Sequence, residues 1–108
     1  MSDHYRFIYD ERLGIRLPEL DLEWDQYSEE EQAKILLEWE MIRGTIPERI
    51  RSFEAKIKEK QSQLDEEEDF AASCRLNSEI AELASCIHDL QLWYRIDQSI
   101  ENRRNNHY

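Results

Sequence analysis

The residues of this chain that could do chemistry are two cysteines, three histidines and a surplus of carboxylates, 25 acidic against 14 basic side chains. Their spacing decides which chemistry is open to them. Cys86 and His88 stand two apart in a stretch with helical periodicity, so they point to different faces, and no Cys or His spacing matches a zinc motif. His88 beside Asp89 could be drawn as a dyad, but adjacent residues of a helix do not face one another. Pairs such as Glu79 and Glu82 arise at helical spacing from abundance, and the inward Glu-x-x-His of a di-metal bundle does not occur. With two glycines in all, there is no Gly-x-Ser-x-Gly elbow and no phosphate-cradling loop of the usual form. His4 and His107 fall in the terminal segments. The expectation is a non-enzyme with no catalytic residues, no metal, no cofactor and no small-molecule substrate.

Charge narrows the partners. A net charge of −11 lacks the basic footprint of a nucleic-acid binder and disfavours an anionic membrane surface. It permits a basic protein partner, although acidic surfaces also serve solubility alone. No apolar run approaches the ~20 residues of a membrane span. The opening MSDHYRFIYDE shows no basic segment followed by an apolar one, so no secretion signal is expected. Cys74 and Cys86 lie on one expected helix, roughly 18 Å apart along its axis, too far for a disulfide. Reduced thiols in a cytoplasmic protein follow.

The elements that would position these side chains are mainly helical. A chain of 108 residues makes one domain, and two Gly and two Pro are too few for the turns of an all-β fold. Within residues 1–27, Tyr5, Phe7 and Tyr9 alternate with Arg6 and Ile8, a period of two. Asp10 to Gly14 can turn the chain, and Ile15 and Leu17 can return it before Pro18, giving a short β-hairpin or an extended arm. Either must lean its aromatic face on the helical body, with Leu20, Leu22 and Trp24 continuing that packing.

A first helix is expected over 28–43, opened by a capping box of Ser28 and Glu31 and buried along Ile35, Leu36, Trp39 and Ile42. Gly44 suits a left-handed stop. A second helix follows over 46–65, with Thr45 and Glu48 as a further box, Pro47 in the first turn, and a seam of Ile46, Ile50, Phe53, Ile57 and Leu64. The third and longest covers 69–101, with Leu76, Ile80, Leu83, Ile87, Leu90 and Tyr94 in step. Residues 102–108 form a polar, frayed tail.

The second helix would span roughly 30 Å and the third roughly 50 Å, folded back as an antiparallel, coiled-coil-like hairpin. Ile46 should then sit opposite the region of Asp89 and Leu90, and everything beyond has no partner on the second helix. Trp93, Ile96 and Ile100 need a cover, either from the first helix and the N-terminal aromatics or from another copy of the chain. A homodimer built on a four-helix core is the preferred state, with Trp93, Ile96, Ile100 and Trp39 as interface residues. Asn77, near the inner face, would set the pairing register if buried and would bond to water if on the rim. Tyr94 is expected in the core.

The stretch LDEEEDFAASCRLNSEI carries the turn between the long helices. Glu66, Glu67, Glu68 and Asp69 read as polar turn residues, with those near Asp69 meeting the positive end of the third helix, or as a hook for a basic partner. Phe70 would close the bottom layer of the hairpin. Residues 60–83 resemble the UVR motif, a helical hairpin of bacterial nucleotide-excision-repair subunits and some protease adaptors. That motif has an acidic turn, a Phe, a pair of small residues, Leu-Arg-Asp and an Ile. Here Glu66 to Asp69, Phe70, Ser73 and Cys74, Leu76 and Ile80 fall in register, while Asn77 and Ser78 replace the Arg-Asp pair. The resemblance implies a protein-docking hairpin, and in composition the whole chain looks like a small bacterial, Bacillus-like protein. The function expected is a protein–protein interaction module, an adaptor or regulator that self-associates through the third helix. The alternative is an acidic inhibitor that mimics nucleic-acid phosphates toward a basic protein.

Overall fold

The computed structural model describes residues 4–96. The N-terminal segment is a hairpin: β1 (Tyr5–Asp10) pairs antiparallel with β2 (Ile15–Leu20), Tyr5 opposite Leu20 and Asp10 opposite Ile15. Its turn is closed by Asp10, whose side chain accepts from the Leu13 N–H (2.8 Å) and whose carbonyl accepts from the Gly14 N–H (2.7 Å). Gly14 takes φ +76, the left-handed region that a glycine reaches without a Cβ clash. The return strand runs through Pro18 to Leu20, past the expected stop, because Pro18 needs no ladder donor on its outer side. After a single 3-10 turn at Trp24–Gln26 comes a pin that the sequence reading passed over. The buried Tyr27 donates its hydroxyl to the His4 carbonyl (2.5 Å) and accepts from the Asp21 and Leu22 N–H groups, tying the open end of the hairpin.

Three helices follow: α1 (Glu29–Arg43), α2 (Ile46–Glu66) and α3 (Phe70–Tyr94). The Ser28–Glu31 capping box forms in both directions. The junction between α1 and α2 departs from expectation. Gly44 has φ −63 and ψ −18, right-handed rather than left-handed, and Thr45 is right-handed too. Thr45 therefore cannot cap; its hydroxyl bonds back to the Ile42 carbonyl (2.7 Å). The two helices are one long rod with a bend, and the buried face passes through it in phase, from Ile35, Trp39 and Ile42 to Ile46 and Phe53.

The third helix packs along α2, with Asp69 as N-cap accepting from the Ala72 N–H (2.8 Å) and Lys60 paired to Glu79 across the interface (3.0 Å). Ile46 and Leu90, placed opposite by counting from the turn, are both fully buried in one cluster. Burying each stabilises by about 1.5–3 kcal/mol. That cluster also takes Leu13 and Ile15 from the hairpin, Trp39 and Ile42 from α1, Phe53 from α2 and Cys86 from α3. The core thus sits at the bend, and the α2–α3 hairpin projects from it in a molecule of 59 × 31 × 20 Å.

Candidate functional site

A charged joint is built around Arg12, in the β-turn. Its Nε meets Glu82 (2.7 Å), one terminal nitrogen meets Asp89 (2.8 Å) and the other meets the Ser85 hydroxyl (2.7 Å), all on α3. The spacing explains the fit: positions 82, 85 and 89 recur at three and four residues, so one guanidinium fork spans one helical face. Glu82 first and then Asp89, by accepting its hydrogen bonds, push the Arg12 guanidinium's pKa above its ordinary value, so it stays charged. Beside Arg12, the turn buries Leu13 in the core, and Arg49 of α2 donates to the Leu13 carbonyl (3.3 Å) while lying over the Phe53 ring. Under the turn lies Cys86, 2% exposed, its thiol directed at the Arg12 carbonyl (3.8 Å). Burial is the first cause that pushes this thiol up, which disfavours the thiolate. The joint is therefore a structural clamp: its charges are paired and its sulfur is kept neutral. Arg12 was legible only as a turn residue, because the face it grips lies seventy or more positions away.

The expected interface residues separate. Trp39 is buried, and Trp93 packs edge-on against it with ring centroids 5.8 Å apart, so these two indoles cover one another within the chain. The reason is the bend: α1 continues the line of α2 and lies against the end of α3. The overhang is also shorter than expected, since α3 ends at Tyr94, and the Trp39 ring nitrogen donates to the Ile96 carbonyl beyond it. Ile96 is exposed, and Ile100 lies outside the described residues, as do the last residues expected in that helix. Asn77 is exposed on the rim. Tyr94 is exposed as well and sits under the Arg43 guanidinium (4.3 Å) rather than in the core.

Glu66, Glu67, Glu68 and Asp69 are all exposed at the tip. Phe70 does not close the hairpin: it is 82% exposed. Leu76 sets the inward direction of α3, and six residues back along a helix is about 240° around it, which turns Phe70 away. Half-buried Ala72 and Ser73 fill that layer instead.

An apolar strip beside the hairpin was not foreseen. On α1, Leu37 and Met41 are 66% and 71% exposed, one turn apart, and Tyr9 of β1 is 60% exposed. Two shallow grooves, of about 400 and 410 Å³, run here and share Arg16 and Met41. Tyr9, Ile15 and Thr45 line one, and Tyr5, Lys34 and Leu37 the other. Arg16 is fixed at the centre by Glu38 (2.6 Å) and lies over Phe7. The sequence signal was available in the spacing of Leu37 and Met41, four apart and out of phase with Ile35, Trp39 and Ile42.

Among the described residues, no group of three or more His, Cys, Asp or Glu side chains could hold a metal ion, and no helix is long and apolar enough to cross a membrane. Comparison with known proteins finds no matching family, curated relative or solved structure.

Proposed function

We propose that the chain is a non-enzymatic protein–protein interaction module, an adaptor or regulator, that associates with itself and docks a protein partner. One observation carries this reading: the large side chains of Leu37, Met41 and Tyr9 are presented together beside a rigid hairpin rather than used in the core. Grouped exposed apolar residues rimmed by charge mark interaction surfaces more often than they mark idle ones. With the two indoles occupied internally, the surface available for association shifts from the end of α3 to the hairpin side. The test is affinity capture by the intact protein at low and high salt, with light scattering to follow self-association. Capture that survives high salt and is lost in Leu37→Glu with Met41→Glu supports hydrophobic docking. Capture unchanged by that double variant removes the reading.

A second reading rests on the tip. Four exposed carboxylates surround an exposed Phe70 at the far end of a projecting hairpin, an arrangement suited to a basic partner and in line with the UVR-like resemblance of residues 60–83. Binding there weakens steeply as salt rises.

A further inference from the structure

We infer that the outer edge of β1 pairs with the same edge of a second copy, antiparallel about a two-fold axis at Phe7, to form one four-stranded sheet. The inference deepens the self-association proposed above and rests on it. The Asp21 N–H donates to the His4 carbonyl (2.9 Å), so that pair, and every second pair inward from it, exchanges ladder hydrogen bonds. Arg6, Ile8 and Asp10 therefore face β2 with their backbone groups, while Tyr5, Phe7 and Tyr9 turn theirs outward. Among the described residues, no hydrogen bond from another element reaches those outward groups.

The opposite edge differs. On β2 the outward positions are Arg16, Pro18 and Leu20; Pro18 has no donor at the centre of the row, and β2 is the strand that lies beside α1. The β1 edge has an unbroken row with no Pro, Lys or bulge, and its two charged residues are engaged within the chain, Arg6 by Glu19 and Asp21 and Asp10 by the Leu13 N–H.

A two-fold axis at Phe7 sets Tyr5 against Tyr9 of the second copy and Phe7 against its equivalent. All three outward residues are then engaged, and any other symmetric register leaves at least one out. The contact is isologous and closes on itself. It also places Ile8, 47% exposed, opposite Arg6, and His4 opposite Asp10, so no like charges meet.

Light scattering across a concentration series should approach twice 13.2 kDa. Amide exchange at Tyr5, Phe7 and Tyr9 should slow as concentration rises, while Arg6, Ile8 and Asp10 remain protected throughout. Tyr9→Pro removes an outward donor and leaves the ladder intact; Ile8→Lys adds an edge charge at an exposed site. Each should return the mass to 13.2 kDa with the hairpin ladder still protected. A monomer at every concentration overturns the inference. So does a dimer whose Tyr5, Phe7 and Tyr9 amides exchange as freely as in dilute solution, although self-association itself then stands. A chain that neither dimerises nor captures a protein removes both proposals.

Discussion

Cys86 shows how burial changes the chemistry of a residue whose type alone says little. The two thiols differ in access: Cys74 is exposed and Cys86 lies under the β-turn. A neutral maleimide should label Cys74 within the mixing time and leave Cys86 protected until denaturant opens the core, which mass spectrometry reads directly. The raised thiol also couples to stability. In the unfolded chain Cys86 ionises near its ordinary value of about 8.5. The folded protein keeps it protonated to higher pH. Below that ordinary value both states hold the proton and the contribution is fully present; above it the unfolded state binds fewer protons, so stability falls as pH rises. Urea melts from pH 7.5 to 10 should show that decline, and Cys86→Ala should flatten it.

Gly14 is the second instructive residue. Its φ of +76 disfavours any side chain, and an added Cβ would come within 2.3 Å of the Arg49 guanidinium. Gly14→Ala should cost about 1–2 kcal/mol from the backbone term alone, measured by urea denaturation. Both the turn and the glycine were readable in the sequence. The arginine packed over it was not, since no local pattern links position 14 to position 49.

At the scale of elements, the helices and their caps follow from local chemistry. Ser28 and Asp69 cap where their types and neighbours say they should, and Pro47 falls in a first turn. The junction misled because Gly44 and Thr45 look like a stop and a cap. The better guide was the step of four from Ile42 to Ile46, which keeps the apolar face in phase across the bend. Packing on that continuous face outweighs the local preference of a glycine for the left-handed region. A paired comparison tests where the packing energy lies. Leu90→Ala, at a fully buried site, should cost about 2–5 kcal/mol. Phe70→Ser, at an exposed site, should change stability by less than about 0.5 kcal/mol. Thermal and urea unfolding of the two variants would check both. A large effect at Phe70 would mean that the tip is packed in solution.

The whole molecule is a body with a projection. Its extents of 59 × 31 × 20 Å follow from a core gathered at the α1–α2 bend, where the hairpin turn, both helical arms and the end of α3 converge. Beyond Phe53 the α2–α3 hairpin holds only a two-helix seam, with Leu76 as its one buried side chain among the described residues. Local opening is easiest where few apolar contacts must be broken. Amide exchange should therefore grade along the hairpin, fastest near Glu66 to Asp69 and slowest near Ile46 and Leu90. Uniform protection would instead place a second chain along the projection.

The sequence by itself left the N-terminal segment open between a hairpin and an arm, and it determined the class of the fold, the helix starts, the acidic turn and the pairing of Ile46 with the Leu90 region. Each of these depends on periodicity and capping within a few residues. Tertiary structure decided which side chains are used up. Whether Trp93 faces a partner or Trp39 depends on the direction in which α1 leaves the bend, and whether Arg12 is a solvated turn residue or a clamp depends on where the hairpin lands. Those choices are made by burial between distant segments, and a helical repeat records that a face is apolar without recording what covers it.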